Sequence, residues 1–250
     1  MPTPSVLAVF AHPDDESLSA GGILARHAGA GARTAVVTPT WSADTPSATE
    51  LAEALRILGA GGPRMLGYAD SRVPHSAPGR PRWCDAPLDE AVGALVAHLR
   101  DVRPEIVVTH DTYGGLTGHE DHVHTHRVTT LAVHAAGLER LFPEAGEPWQ
   151  PSTLYLATHP HSALRAWGGH WAPTGEAMRT VPDSRVSATV DVTPWLDRKI
   201  AAVLAHRTEV ARGAAPGLIA ALSAPERERL LGTEWFTCHD LAPTAPQPLA

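Results

Sequence analysis

Residues 5–11 read SVLAVFA, a short apolar run that ends directly at the polar sequence His-Pro-Asp-Asp-Glu of residues 12–16. An uninterrupted apolar run of this length is typical of a buried strand in a parallel sheet, because both faces of such a strand are covered. A helix-like stretch, Leu18–Ala28, follows the polar turn. This part of the chain therefore predicts a strand, a polar loop and a helix.

The same alternation of strand and helix continues along the chain. The next predicted strands are Thr34–Thr38, Arg64–Gly67 and Glu105–Thr109, and the predicted helices between and after them are Ala48–Leu58, Leu88–Leu99 and Asp121–Ala136. Short connections between alternating elements indicate an α/β fold with a mostly parallel sheet and helices on both faces. The likeness to a Rossmann fold is limited to this architecture. The Gly-x-Gly-x-x-Gly fingerprint is absent after the first strand, so no nucleotide cofactor is predicted.

The last hundred residues contain fewer clear elements. Residues 143–182 are rich in Pro, Gly, His and Trp and are expected to form long loops around a strand at Thr153–Thr158. A late strand is predicted at Ser187–Val192 and a helix from Pro194 to His206. We expect one domain over residues 1–241 and a poorly ordered tail, rich in Pro and Ala, over residues 242–250.

Composition limits the classes of partner. The net charge of −7, with 20 Lys and Arg, provides no basic stripe for nucleic acid or an anionic membrane. No stretch approaches the roughly 18 apolar residues of a membrane span, and we expect a cytoplasmic protein. Cys84 and Cys238 match neither a disulfide framework nor a Cys-x-x-Cys metal site. A small polar molecule is the expected partner, and a homo-oligomer is compatible with the sequence.

Two polar clusters follow predicted strands, one at residues 12–16 and one at residues 110–126. Ligands of open α/β sheets bind outside the carboxyl ends of the strands, so these clusters are expected to meet. A catalytic zinc typically has three N or O protein ligands and one open position. His12 and one of the adjacent carboxylates, with His122 from the second cluster, would supply them. The remaining carboxylate would then face the substrate as a base, and His119 is the candidate group at the carbonyl.

The chain resembles the LmbE-like (PIG-L) zinc N-deacetylases, which include enzymes of mycothiol biosynthesis. The likeness rests on Ala-His-Pro-Asp-Asp-Glu at residues 11–16 and on Gly-His-Glu-Asp-His-Val-His-Thr-His at residues 118–126. It extends through the loop at residues 70–71, the stretch from residue 88 to residue 137, and Lys199 with His206.

The resemblance implies a role for each polar residue of the two motifs. It implies that zinc is bound by His12, Asp15 and His122. Because transition metals can replace one another at such ligands, Fe2+ is the alternative metal. The resemblance also implies that Asp14 is the general base, that His119 assists at the carbonyl, and that Asp121 orients His119.

Four residues are expected to contact the substrate. The resemblance matches Asp70 to a polyol-contacting Asp and places His206 near the pocket, although a His at a helix end is also favoured by the helix dipole. Trp41 could stack on a sugar or pack as a lid. Thr117 occupies a position where the mycothiol deacetylase has Tyr.

These features predict a zinc-dependent hydrolase that removes an acetyl group from an N-acetylglucosamine-containing substrate. Ser47 stands where relatives usually carry Arg, and this change, with Thr117, favours an intermediate of antibiotic biosynthesis. The alternatives are the GlcNAc-inositol deacetylase or the S-conjugate amidase of mycothiol metabolism and, from another class, a non-catalytic sugar- or metal-binding module.

Overall fold

The fold is described from a computed structural model, which covers residues 2–167 and 178–241. Within those residues seven strands form one sheet. The strands are β1 (Val6–Val9), β2 (Thr34–Thr40), β3 (Arg64–Tyr68), β4 (Ile106–His110), β5 (Thr153–Thr158), β6 (Ala188–Asp191) and β7 (Thr233–Asp240). The helices are α1 (Asp15–Gly29), α2 (Pro46–Leu58), α3 (Leu88–Val102), α4 (Glu120–Ala135), α5 (His161–Trp167), α6 (Leu196–Ala205), α7 (Arg207–Arg212), α8 (Ala215–Ala221) and α9 (Ala224–Leu231).

The sheet has the strand order β3-β2-β1-β4-β5-β7-β6. Strands β1 to β5 pair in parallel, whereas β7 is antiparallel to both β5 and β6. The chain builds outward from β1 to β3 and then returns to place β4 on the other side of β1. This reversal opens a crevice at the carboxyl ends of β1 and β4, which is where ligands bind in such sheets.

Apolar side chains cover both faces of the sheet. Alternate residues of β1 point to opposite sides, so Leu7 packs in one buried cluster with α3 and α4. Ala8 packs in the other cluster with α1, α2 and α6. A layer of helices covers each face of the sheet. The loops after β1 and β4 each run from a buried strand to a helix.

The predicted fold class, a mostly parallel sheet with helices around it, is confirmed. Gly59 ends α2 in the left-handed conformation (φ 80°), which is the backbone shape that favours glycine at a helix end. Strand β7 and helices α5 and α7 to α9 were not predicted. Helix α5 lies in the region expected to be loops, while residues 168–177 of that region and the predicted tail at 242–250 lie outside the described residues.

None of the helices in the described ranges combines the length and the apolar character needed to cross a bilayer.

Candidate metal centre

The two polar loops meet in the crevice between β1 and β4. His12 lies in the turn after β1 and Asp15 begins α1, whereas His122 lies in the first turn of α4. His122 follows Asp15 by 107 positions and His12 by 110. The pairing of β1 with β4 brings the two loops together. The predicted convergence of the two clusters therefore follows from the strand order.

Three donor atoms form a nearly equilateral triangle at this point. Nδ1 of His12 lies 3.0 Å from Nε2 of His122 and 3.2 Å from Oδ2 of Asp15, and the latter two atoms are 3.2 Å apart. Zinc–ligand bonds of about 2.0–2.2 Å at tetrahedral or right angles put neighbouring ligand atoms about 2.9–3.5 Å apart. The three residues thus fit a zinc ion in both donor chemistry and spacing.

The outer nitrogen of each histidine has a partner that fixes the ring. Nδ1 of His122 donates a hydrogen bond to the carbonyl oxygen of Gly114 at 3.0 Å. In the neutral ring this leaves the lone pair of Nε2 available to a metal. Nε2 of His12 lies 3.2 Å from the Asp121 carboxylate, which leaves Nδ1 facing Asp15. Such outer partners orient metal-binding histidines and select the tautomer.

The ionisation of His12 and Asp15 reflects their mutual contacts. Burial lowers the pKa of His12, but hydrogen bonds with Asp121 and Asp15 outweigh it and leave that pKa well above its ordinary value. Burial raises the pKa of Asp15, but the charge on His122 and hydrogen bonds with neighbouring histidines hold that pKa well below its ordinary value. A metal bound at Nδ1 would therefore displace a proton from His12.

The Asp121 carboxylate is fully buried and acts mainly on His12. Its Oδ2 accepts the backbone N–H of Ser71 at 2.9 Å, and its Oδ1 accepts that of Cys84 at 3.0 Å. Nδ1 of His119 is 3.8 Å from this carboxylate. The sequence predicted that Asp121 orients His119. In the structure its backbone N–H contacts His119, while its carboxylate holds His12.

His119 caps the N-terminus of α4 with a defined tautomer. Its Nδ1 accepts the backbone N–H of Asp121 at 3.2 Å, so in the neutral ring the proton resides on Nε2. Burial, followed by the positive charges of His12 and His122, lowers the pKa of His119 to about 4. The ring packs edge-on against His12 with centroids 4.6 Å apart. A neutral hydrogen-bond donor is therefore available next to the triangle of donor atoms.

Asp14 lies in a backbone conformation that few residues adopt. Its φ is 130°, and its N–H donates to Oε2 of Glu16 at 3.0 Å. Burial, followed by the charge of Asp15, raises the pKa of Asp14 well above its ordinary value. Strained backbone of this kind clusters at functional sites, and a carboxylate with a raised pKa suits proton transfer near neutral pH.

His110 is a member of the centre that the sequence did not single out. Its ring stacks on His122 with centroids 4.0 Å apart, and its Nε2 accepts the backbone N–H of Ala11 at 3.1 Å. Burial, followed by the charge of His122, lowers the pKa of His110 to about 3. In the sequence it stood at the start of the second polar cluster, residues 110–126, without a predicted role, although its place directly before Asp111 was a usable signal.

His206, which the resemblance placed near the pocket, contacts Glu16 of α1. The residue is completely buried, and its Nε2 is 3.1 Å from Oε1 of Glu16, itself completely buried. Because Glu16 also receives the N–H of Asp14, His206 supports the loop that carries the proposed base. Substrate contact by His206 stays a prediction.

The other three predicted substrate contacts lie in different surroundings. Oδ2 of Asp70 is 3.4 Å from Nε2 of His12, and its Oδ1 accepts the N–H groups of Arg72 and Val73. Thr117 is exposed at the rim of the crevice. The side chain of Trp41 is 8% exposed, so its packing alternative fits the structure better than stacking on a sugar.

Three overlapping groups of donors surround the triangle, and the donor atoms of each group lie within 4.8 Å of one another. The groups are His12, His119 and His122; His12, Asp70, His119 and Asp121; and Asp15, His110 and His122. The structure therefore places a His- and Asp-rich group capable of holding a metal at the crevice.

Comparisons with known proteins identify the relatives of this chain. Residues 7–133 match the family model PIG-L, described as GlcNAc-PI de-N-acetylase. The chain is 40% identical over 239 residues to a 1D-myo-inositol 2-acetamido-2-deoxy-alpha-D-glucopyranoside deacetylase from Rhodococcus opacus (strain B4), covering 82% of this chain and 81% of the relative.

Solved structures share the fold. N,N'-diacetylchitobiose deacetylase from Pyrococcus horikoshii has a TM-score of 0.65 at 20% identity, and the match covers 95% of this chain and 84% of that one. The A40926 pseudoaglycone deacetylase has a TM-score of 0.58 at 23% identity, and the match covers 98% of this chain and 100% of that one. At these identities the likeness establishes the fold alone.

Proposed function

We propose that this chain, which belongs to the PIG-L family of GlcNAc-PI de-N-acetylases, is a metal-dependent deacetylase. Its substrate is a small N-acetylglucosamine-containing molecule, from which it removes the N-acetyl group with the help of a bound divalent metal. Deacetylases are amide hydrolases, and the chain is an enzyme of that class. The observation that carries the proposal is the triangle formed by His12, Asp15 and His122, with its donor atoms 3.0–3.2 Å apart.

These three residues would hold the metal, which we propose to be zinc. When bound, the metal supplies a Lewis acid that polarises an amide carbonyl and makes a water molecule more acidic. Asp121 keeps the proton of His12 on Nε2 and thereby keeps Nδ1 directed toward the metal position. Gly114 does the same for His122 through its carbonyl oxygen.

Asp14 is proposed to be the general base. The residue follows Pro13 in the same turn as the two ligands, and its raised pKa favours taking up a proton from the attacking water. The buried Glu16 accepts its N–H and fixes the turn, and His206 fixes Glu16. The proton can then pass to the departing amine nitrogen, so that one water adds across the C–N bond and gives acetate and a free amine.

His119 is proposed to stabilise the carbonyl oxygen. Its Nδ1 is occupied by the Asp121 N–H, so the neutral ring offers Nε2–H to an acceptor in the crevice. A donor that is fixed before the substrate arrives stabilises negative charge on the oxygen more effectively than water does. Asp70, beside His12, is proposed to contact the sugar or its polyol substituent.

The relatives bear on the choice of substrate. The sequence favoured an antibiotic intermediate, but the antibiotic deacetylase is 23% identical, whereas the GlcNAc-inositol deacetylase is 40% identical over most of both chains. We therefore propose 1D-myo-inositol 2-acetamido-2-deoxy-alpha-D-glucopyranoside as the first substrate to test. The mycothiol S-conjugate amidase activity remains the alternative within the family.

A non-catalytic binding module is the alternative from another class. Such a module would need the metal ligands but not Asp14, whose carboxylate is buried in a strained turn. Acetate release distinguishes the classes when the purified protein, loaded with one equivalent of zinc, is incubated with GlcNAc-inositol, N,N'-diacetylchitobiose and N-acetylglucosamine. The proposed function would be overturned if none of these substrates released acetate and a mycothiol S-conjugate released no free amine.

A further inference from the structure

A cavity of about 130 Å³ adjoins the candidate metal centre. Asp15, His110 and His122 line one end of it, so a molecule bound there would reach the position between the proposed ligands. Strand β5 and helices α6, α8 and α9 supply much of the remaining wall. The cavity is therefore continuous with the reaction centre and belongs to the space that a substrate can occupy.

Apolar atoms make up most of the surface that lines the cavity. Leu18, Leu116, Ile219, Leu230, Leu231 and Trp235 supply much of it, and Ser19, Thr117, Thr158, His159 and Thr233 interrupt it with polar groups. Several of these side chains come from the buried cluster around Ile219, which is 1% exposed. A wall of this composition favours an apolar occupant over a polyol, because a sugar hydroxyl placed against it would lose its hydrogen bonds to water.

The charged groups in the wall are already paired. Nζ of Lys199 lies 2.7 Å from Oε1 of Glu234, and both side chains are buried. Glu234 also accepts the backbone N–H groups of Gly22 and Ile23 at 2.7 and 3.0 Å. The two side chains balance each other's charge within the protein, so neither needs a charged ligand as a partner.

The side of His12 occupied by the polar groups is distinct from this cavity. Asp70 and Asp121 contact Nε2 of His12, and neither residue lines the cavity. If the sugar lies toward Asp70 and the amide carbonyl at the metal position, the acyl substituent points toward the apolar wall. The cavity is thus placed to receive the acyl part of the amide.

The volume exceeds what an acetyl group needs. A water molecule, close in size to a methyl group, occupies roughly 30 Å³ of liquid, and a dry apolar cavity of about 150 Å³ holds benzene. A cavity of about 130 Å³ therefore accommodates an apolar group of about four to six carbons, and an acetyl methyl would leave most of it empty.

We propose that this site hydrolyses amides carrying an apolar acyl chain of about four to six carbons more efficiently than it hydrolyses acetamides. The reaction is the same addition of water across the C–N bond, which yields a free amine and the longer carboxylic acid. The inference rests on the proposed function, because it specifies the acyl group cleaved at the same site.

A chain-length series tests it. The zinc-loaded protein is given acetyl, butyryl, hexanoyl and dodecanoyl amides of the same glucosamine-containing amine, and release of the amine is measured. We expect kcat/KM to rise about fourfold for each methylene buried, up to hexanoyl, and to fall for dodecanoyl. A kcat/KM that is equal for all chains, or highest for acetyl, overturns this inference and leaves the deacetylase proposal intact. Cleavage of none of them refutes the proposed function itself.

Two matched variants locate the effect. Helices α8 and α9 both begin with Ala-Pro, at Ala215 and Ala224, but only Ala215 lines the cavity. We expect Ala215→Phe to lower the ratio of hexanoyl to acetyl kcat/KM at least tenfold, and Ala224→Phe to leave that ratio unchanged. Equal effects of both variants, or an unchanged ratio in Ala215→Phe, would contradict the assignment of this cavity.

A binding measurement provides a readout independent of turnover. Acetate, butyrate and hexanoate are titrated into the wild type and Ala215→Phe by calorimetry. Affinity should rise with chain length in the wild type, with an increasingly negative heat-capacity change that marks apolar burial, and this trend should disappear in Ala215→Phe. Identical affinities of the three acids for the wild type would overturn the proposal.

Discussion

The Asp121 carboxylate lies 3.2 Å from Nε2 of His12, on the side of the imidazole opposite the Nδ1 atom that faces Asp15 and His122. One carboxylate thus fixes both the proton position and the ring orientation of a proposed metal ligand. The same carboxylate accepts two backbone N–H groups, which tie it to the loops at Ser71 and Cys84.

Replacing this carboxylate should weaken the metal site without removing a ligand. We expect Asp121→Asn to lower zinc affinity about 10- to 100-fold, the usual effect of losing such an outer partner. Competition with a chromogenic chelator measures it. Glu120→Gln is the matched control, because Glu120 is an exposed neighbour that pairs with Arg72. The zinc affinity of this variant should equal that of the wild type. An unchanged affinity in Asp121→Asn would show that His12 needs no such support.

Loss of a proposed ligand should have a larger effect. We expect His122→Ala to be purified with less than about 0.1 equivalent of zinc, because only two donors of the proposed set of three remain. Elemental analysis after gel filtration checks this. His134→Ala alters an exposed histidine on the same helix and should retain the wild-type content. Full zinc occupancy in His122→Ala would refute the assignment.

Asp14 should be needed for turnover but not for metal binding. Removing a general base typically slows the reaction about 10²- to 10⁴-fold, so Asp14→Asn should lose activity to this extent while keeping its zinc. Acetate release and metal content are measured on the same preparation. If the variant retains more than a tenth of the wild-type kcat, another group takes the proton.

Metal affinity should increase with pH. The pKa of His12 lies well above its ordinary value, so below that pKa a proton must leave before Nδ1 can bind a metal. Zinc affinity should therefore rise about tenfold per pH unit while His12 is protonated in the free protein, and level off once the pH exceeds its raised pKa. Chelator competition at several pH values measures the slope, and a flat profile would contradict a proton displaced from His12.

The buried ion pair of Lys199 and Glu234 should matter for stability. Lys199→Met leaves the Glu234 carboxylate buried without its cation, which is expected to lower the free energy of unfolding by about 3 to 5 kcal/mol. Urea denaturation measures it. Adding Glu234→Gln to that variant should recover part of the loss, and Arg56→Met, which removes an exposed pair with Glu53, should have little effect. A loss in Lys199→Met no larger than in Arg56→Met would be the contrary result.

Much of the fold could be predicted because its signals are local. Apolar runs such as Ser5–Ala11 identify strands from their own composition, and strand order then forces His12 and His122 to meet. Strand β7 was missed because its residues, Thr233–Asp240, mix charged, polar and aromatic side chains. Its place in the sheet depends on β5 and β6, which lie far away in the sequence.

Pairing between side chains was the part of the site that sequence could not supply. The motif brings Asp121 and His119 close together, yet the buried carboxylate turns toward His12 because Ser71 and Cys84 hold it there. The position of His206 is likewise set by its hydrogen bond with Glu16, which is 190 positions away in the sequence. Such partners depend on packing between distant segments, which no spacing rule encodes.

The φ of 130° at Asp14 has a consequence for engineering. Glycine adopts such a conformation at no steric cost, whereas other residues incur about 1–3 kcal/mol of strain. A redesign guided by thermostability alone would therefore select glycine at position 14 and delete the proposed base. At position 14 the stability of the turn and the proposed catalysis make opposite demands on the side chain, so we expect a gain in one to reduce the other.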